Sequence, residues 1–365
     1  MFDRRLATHF DWGFAAVILG MTVLGILTIY SANTLAASAF RRGLYLRQMT
    51  WVGVGVVSLV AACLVSYRAL GRFSYVIFGA SVLLLALVLV IGKAGLGAHR
   101  WIRLGGFAFQ PSEFAKLGLV LFLARYFDDH RESLRKPKTM LLPAGLTVLC
   151  MLMVLKQPDL GTALLLGFIA LSVMLMLGLQ WRHLVPFAVG GAALTPLVWL
   201  VLKDYQRRRI LVFLNPDLDS LGAGYHIAQS KIAVGSGGAF GKGWLAASQS
   251  QLNFLPLNHT DFIFAVLAEQ WGFLGCLVIL LAYFYLITKG FQIAQDTSDL
   301  FAAVLATGVS SMLAVQVLIN IAMVLGMMPV VGIPLPLLSY GGSSMLVTML
   351  GLGLLLNVHM RRFMY

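Results

Sequence analysis

Apolar residues run along this chain in long blocks, not in the alternations of a soluble fold. A helix needs about 20 apolar residues to cross the hydrocarbon core of a bilayer. Blocks of that length fall at roughly 12–31, 48–67, 73–92, 110–126, 139–156, 160–179, 183–202, 261–288, 300–326 and 337–359. The pattern predicts an all-α polytopic membrane protein with ten transmembrane helices. Most connections are short. The exception runs from Lys203 to Thr260, 58 residues between helices 7 and 8. A connection that long in a compact protein is usually functional. Residues 1–365 read as one membrane domain with the 203–260 loop built into it. The first block follows Arg4 and Arg5 and precedes Ala36-Ala37-Ser38-Ala39, which resembles a signal peptide. It is longer than a signal core and nine more blocks follow, so an uncleaved first helix is expected.

Composition agrees. Hydrophobic residues make up 59% of the chain and charged residues 11%, against about half and a quarter in soluble domains. That excludes a soluble enzyme and a disordered chain. Cys63, Cys150 and Cys276 all lie in apolar blocks and form no disulfide framework. The net charge is +13. Its basic residues sit in short segments between blocks, with no basic stripe interleaved with aromatics. Anionic lipid headgroups or a lipid-linked anionic substrate fit that distribution better than nucleic acid. Ten spans put both termini on one side, with 13 Lys and Arg there and 14 opposite. If the nine in the long loop and around Lys93, Arg100 and Arg103 serve a substrate, the remainder favours cytoplasmic termini. No internal repeat of the transporter kind is visible.

Ionisable groups at the mouths of spans are costly and often functional. Arg100-Trp101-Ile102-Arg103 leads into Gln110-Pro111-Ser112-Glu113-Phe114-Ala115-Lys116. Pro111 suits a first helical turn, and Glu113 and Lys116 share a helix face. Glu113 could simply complement the helix N-terminus, with Lys116 its partner. Against that, Lys116 lies a turn inside an apolar helix, where an ammonium needs a partner or a watered cavity. Asp159 is placed to cap the sixth span, which alone would explain it. Arg207-Arg208-Arg209 could be a solvated lipid-facing patch or a fork for a diphosphate. Gly222, Gly224, Gly235, Gly237, Gly238, Gly241 and Gly243 follow, and glycines permit tight turns and close backbone approach to a ligand. They match no Walker or dinucleotide fingerprint. Asp261 stands where the loop re-enters the membrane, as a cap or as a general base with a raised pKa. Glu269, over two turns deeper, reads as structural. Pro329, Pro334 and Pro336, then Ser339-Tyr340-Gly341-Gly342-Ser343, cannot be helix throughout. Such a break survives inside protein or lining a cavity; a cavity wall and a plain interhelical turn both remain open.

Gln157-Pro158-Asp159-Leu160-Gly161-Thr162, His259-Thr260-Asp261-Phe262-Ile263-Phe264-Ala265 and Ser339-Tyr340-Gly341-Gly342-Ser343 resemble the hallmarks of the SEDS family (shape, elongation, division and sporulation). Gly222-Ala223-Gly224-Tyr225-His226, Gln229 to Ala233, Gly241-Lys242-Gly243-Trp244 and Pro329 to Pro336 are similar to its elongation branch. The resemblance implies a ten-helix SEDS fold in the bacterial inner membrane, with cytoplasmic termini and a periplasmic loop. It implies a glycosyltransferase that polymerises lipid II into β-1,4 glycan strands during elongation and rod-shape maintenance. It also implies a class B penicillin-binding protein as transpeptidase partner, beside other elongation-complex proteins. No Ser-x-x-Lys motif in a soluble segment here could supply that activity. Asp261 falls on the family's essential acid, Glu113 and Lys116 on its acid and lysine, and Asp159 on the acid of Gln-Pro-Asp. Gln270-Trp271 departs from the usual acid and small apolar residue, and Asn253 and Leu257-Asn258 replace residues that are often charged.

On that basis Asp261 is expected as general base toward the 4-hydroxyl of the acceptor GlcNAc. Lys116, Arg100, Arg103 and Arg207, Arg208 and Arg209 are expected to offset diphosphate charge. Asp159 and Ser339 complete the expected substrate-binding set. Glu113 could hold Lys116, or Lys116 could pair with Asp261 and tune it. No metal-ligand cluster is visible and no cofactor is certain, while a divalent cation at the diphosphate stays open. The rival readings are a lipid II flippase and a non-catalytic scaffold of the wall-synthesis complex.

Overall fold

In lipid the backbone has no hydrogen-bond partner but itself, so long apolar blocks fold as helices. The structure, a computed structural model, describes residues 9–34, 39–91, 93–95, 98–104, 107–134, 136–179, 204–219, 222–247, 249, 254, 255 and 257–362. The membrane helices are α1 (Trp12–Asn33), α2 (Leu44–Leu64), α3 (Ser74–Ile91), α4 (Pro111–Asp129), α5 (Pro137–Lys156) and α6 (Leu160–Met176). Two helices of the long loop follow, α7 (Asp204–Leu214) and α8 (Ala223–Ser236). Then come α9 (Ile263–Asp296), α10 (Leu300–Val324) and α11 (Gly342–Arg361). Among the described residues, six helices are long and apolar enough to cross a membrane, and α3 and α6 contribute shorter apolar helices. Every predicted block except 183–202 coincides with a helix; 183–202 lies outside the described residues.

Local chemistry sets the helix starts. Asp11 caps α1 through Phe14 N–H at 2.9 Å, and Asp299 caps α10 through Phe301 N–H at 3.1 Å. Prolines open α4 and α5, where a missing N–H costs nothing. Two starts differ from the apolar pattern. The eighth block begins at Ile263, so Asp261 stands in the preceding turn. The last begins at Gly342, which leaves Ser339 in an irregular segment. Between α3 and α4 a three-stranded antiparallel ribbon forms: β1 (Lys93–Gly95), β2 (Ala98–Leu104) and β3 (Phe107–Phe109). Lys93 pairs with Trp101 and Ile102 with Phe109. The ribbon is a small addition to an otherwise helical architecture.

Helix α4 is central. Residues Ala115 to Ala124 are all buried, and α3, α6, α10 and α11 pack around it. A helix enclosed on all sides is apolar nearly all round, which α4 is from Leu117 to Leu123.

The glycine-rich part of the long loop packs closely on helix α9. Helix α9 breaks at Gly272, where φ is 64° and ψ −163°, a conformation open to glycine but not to side chains with a Cβ. The break frees N–H and C=O groups that must be satisfied elsewhere. The loop satisfies them: Phe273 N donates to Gly238 O (2.9 Å) and Leu274 N to Ala239 O (3.1 Å). Lys242 N donates to Glu269 O (2.9 Å) and Gly243 N to Gln270 O (3.1 Å). A Cβ at Gly237 would sit 2.0 Å from Ala268 O. These glycines allow a close approach of the loop to a broken helix. Glu269, fully buried, takes the Lys242 ammonium at 2.7 Å and Gln249 N–H at 3.2 Å, the structural role expected of it.

Candidate active site

Helices α4, α6, α9 and α11 bring their N-termini to one place. Gln110, the cap position of α4, donates its backbone N–H to Ser343 Oγ of α11 (3.1 Å). Its side-chain amide donates to Asp159 Oδ2 at the start of α6 (3.4 Å). Tyr340 N, before α11, donates to His259 O, before α9 (2.8 Å). Each helix start carries partial positive charge from unpaired N–H groups. Their convergence favours an anion.

One wall of this place is sealed. Asp159 is buried and caps α6, its Oδ1 accepting from Thr162 N (3.1 Å) and Oδ2 from Thr162 Oγ1 (3.0 Å). Arg100, on β2, donates through Nε to Gln157 O (2.8 Å) and through Nη2 to Pro158 O. The ribbon thus clamps the turn that carries Asp159. Glu113 and Lys116 are 4% and 1% exposed and pair at 2.7 Å. Of the two partners open to Lys116, the structure selects Glu113.

The other wall is open. Asp261 is half-buried, and its carboxylate accepts no hydrogen bond among the described residues. A Cβ at Gly332 would lie 3.5 Å from its Oδ2, so the proline-containing segment lines the acid. That segment is buried at Val331, Ile333, Leu335 and Leu337, so its irregular backbone lies inside protein. A Cβ at Gly161 would meet Ile333 Cγ1 at 2.7 Å, so the start of α6 abuts the same segment. Burial pushes the Asp261 carboxyl up to about 6, and the Asp159 charge adds to the rise. The Arg100 and Arg209 charges oppose it. His259 behaves oppositely: burial, then the Arg41 charge, pulls its pKa down to about 4. It is therefore neutral and weakly basic at pH 7, with Nδ1 3.1 Å from Asn258 Oδ1.

The remaining expected site residues divide. Arg209 is close enough for its charge to act on Asp261. Arg207 is half-buried on α7, and two residues along a helix do not face the same way. The side chains of Arg103, on β2, and Arg208, on α7, lie outside the described residues. Ser339 is buried and engaged: its hydroxyl donates to Thr260 O (2.6 Å) and accepts from Leu335 N (2.7 Å). It holds the turn before Asp261. Among the described residues, no three His, Cys, Asp or Glu side chains group as metal ligands.

Two residues were overlooked in the sequence. Asn320 Nδ2 donates to Asp261 O (2.9 Å) and Ile333 O (2.7 Å), joining the acid's turn to the facing segment. Gln48 Nε2 donates to Ser339 O and its Oε1 accepts from Gly341 N, both at 3.3 Å. The available signal was a lone amide in an apolar block, which lipid makes costly unless it binds backbone.

The sequence profile of the FtsW, RodA and SpoVE cell cycle proteins matches residues 11–363. Peptidoglycan glycosyltransferase MrdB of Escherichia coli K12 is 42% identical over 359 residues, covering 98% of this chain and 95% of that one. Stage V sporulation protein E of Bacillus subtilis 168 is 37% identical, covering 94% of each. Among solved structures, a chain reported under "Structural coordination of polymerization and crosslinking by a peptidoglycan synthase complex" superposes with a TM-score of 0.84. It shares 37% identity and covers 98% of this chain and 99% of that one. The rod shape determining protein RodA of Thermus thermophilus superposes with a TM-score of 0.70 at 34% identity, covering 97% and 98%. With profile, full-length relatives and fold in agreement, this multi-pass membrane protein belongs to the FtsW/RodA/SpoVE family, the SEDS family that its motifs resemble.

Proposed function

We propose that this protein is a peptidoglycan glycosyltransferase that polymerises lipid II into β-1,4 glycan strands. One observation carries the reading. Asp261 is a half-buried acid whose carboxylate accepts no hydrogen bond among the described residues, with a pKa near 6, set among four helix N-termini and two arginines. Asp261 takes the proton of the acceptor 4-hydroxyl as that oxygen bonds to the donor's anomeric carbon. The bond from that carbon to the undecaprenyl diphosphate breaks, and the electron pair leaves with the diphosphate. A single displacement turns the α-linked donor into a β linkage. Arg100, Arg209 and the helix N-termini offset the leaving charge, with Arg103, Arg207 and Arg208 as further contributors. The sealed Glu113–Lys116 pair keeps α4 in place behind them.

The chain sits in the bacterial inner membrane with cytoplasmic termini, so residues 203–260 face the periplasm. A class B penicillin-binding protein is the expected partner, and the similarity to a chain of a peptidoglycan synthase complex supports it. The test is a lipid II assay in detergent with wild type and Asp261→Asn. Wild type should form polymer and the variant none. Polymerisation by the variant at the wild-type rate removes Asp261 from the mechanism. Detergent has no sidedness, so polymer formation also separates this reading from transport.

A further inference from the structure

The transfer site uses one end of α4. The opposite end, 19 residues and about 28 Å away, carries a charged cavity that no step above requires. It has a volume of about 340 Å³ and is lined by Arg68, Arg72, Arg125, Asp128, Arg131 and Asp299. These come from three separate connections: the short helix Tyr67–Arg72 between α2 and α3, the end of α4 with the turn after it, and the cap of α10.

The acids in this cluster are shared. Asp299 accepts from the Tyr67 hydroxyl (3.1 Å), lies 3.6 Å from Arg68 Nε and 3.3 Å from Arg131 Nη2, and also caps α10. Asp128 serves both Arg125 (3.8 Å) and Arg131 (2.7 Å). Asp129, beside the cavity, takes Arg125 at 2.9 Å and the Tyr75 hydroxyl at 2.7 Å. Four guanidinium groups therefore face three carboxylates. Arg72 is the surplus: it is exposed and makes no ion pair among the described residues. Arg68 and Arg131 are each half exposed, so part of their donor fork still faces outward.

The neighbours fix the depth. Phe73 and Tyr75, directly after Arg72, are 61% and 43% exposed. Aromatic side chains in that setting mark the headgroup level of a membrane protein. An excess cation beside an exposed aromatic at that level matches a phosphodiester whose acyl chains run down the helix surface. We propose that this cavity binds the phosphate of an anionic phospholipid, in the leaflet opposite the glycosyl-transfer site.

The full-length protein, delipidated in neutral detergent, is given phosphatidylglycerol or phosphatidylcholine, and bound lipids are counted by native mass spectrometry. Wild type should retain one phosphatidylglycerol above the distribution seen with phosphatidylcholine. Arg72→Ala should weaken that binding about fivefold, the usual contribution of one cation near a lipid surface. Arg72→Lys should keep most of it. Arg72 makes no ion pair among the described residues, so the melting temperature should stay put and confirm that folding is intact. Equal retention by wild type, Arg72→Ala and the double variant Arg68→Ala/Arg72→Ala overturns the proposal. Displacement of phosphatidylglycerol by millimolar inorganic phosphate, with equal thermal stabilisation, would assign the cavity to free phosphate and overturn the lipid reading.

Discussion

Two acids share the transfer site and live in opposite conditions. Asp159 is buried, caps α6 through two bonds from Thr162, and receives the Gln110 amide. Asp261 is half-buried with a carboxylate that no described residue bonds. With three of its roughly four acceptor sites filled, the Asp159 carboxylate has little left to offer a substrate and adds order to its surroundings. An unsaturated one at partial burial carries an energetic cost and is available for proton transfer. The contrast extends outward. The Asp159 side continues into Arg100 on backbone carbonyls and the closed Glu113–Lys116 pair. The Asp261 side is held through its backbone and its neighbours, by Asn320, Ser339 and Tyr340 among others. The site thus has a half built for stability and a half built for chemistry.

The largest effect should fall on the open half. Asp261→Asn should cut polymerisation from lipid II by about 10²–10⁴-fold, the usual worth of a general base. It should not lower stability. The folded pKa is raised above the unfolded value, so the ionised acid opposes folding as pH rises through about 6. Removing its charge should therefore leave the melting temperature at pH 7 equal or higher. A variant that loses activity only together with its melting temperature would erase the distinction between the halves.

The closed half should show the reverse order. Lys116→Ala strands the Glu113 carboxylate in the interior of α4, and breaking a buried pair costs about 3–5 kcal/mol. Thermal unfolding in detergent should reveal it. Glu113→Gln combined with Lys116→Met removes both charges and should recover most of that stability. If the double variant also recovers polymerisation, the pair is structural; stability without activity would show that its charges act on the reaction.

Much of this arrangement was legible in the residues. Glu113 and Lys116 three apart already placed them on one face, and Asp159 before an apolar block already read as a cap. Asp261 stood out because an acid at a membrane mouth is costly. The contact of Gly237 to Gly243 with α9 was not legible because their partners there are main-chain groups, which leave no side-chain signature. The bond from Ser339 to Thr260 was not legible because a hydroxyl's partner cannot be inferred when it lies some 80 residues away in the chain. The ribbon Lys93–Phe109 was hidden because its strands are short and its alternation weak.

A smaller effect separates the two roles of Asp159. Asp159→Ala removes the cap and should cost about 1 kcal/mol, seen as a lower melting temperature. Asp159→Asn keeps an acceptor for Thr162 N–H and should cost less. If both variants melt like wild type, the α6 cap does not contribute and the sealed half is less sealed than its geometry.

The finest test is the pH dependence of kcat/KM for lipid II. The base must be ionised, so activity should fall as pH drops through about 6. Asp159 and Arg100 act on Asp261 with opposite signs. Asp159→Asn removes a like charge that raises the Asp261 pKa, so its acid limb should move to lower pH. Arg100→Gln removes a charge that lowers it, so its limb should move up. Burial is the larger cause, so each shift should stay under about one pH unit. The expected order of the limbs is Asp159→Asn lowest, then wild type, then Arg100→Gln. A wild-type limb near pH 4 would mean that Asp261 titrates as an ordinary carboxylate, and the two acids would then differ in hydrogen bonding alone. Limbs that coincide in all three proteins would mean that the sealed half does not reach the open one electrostatically.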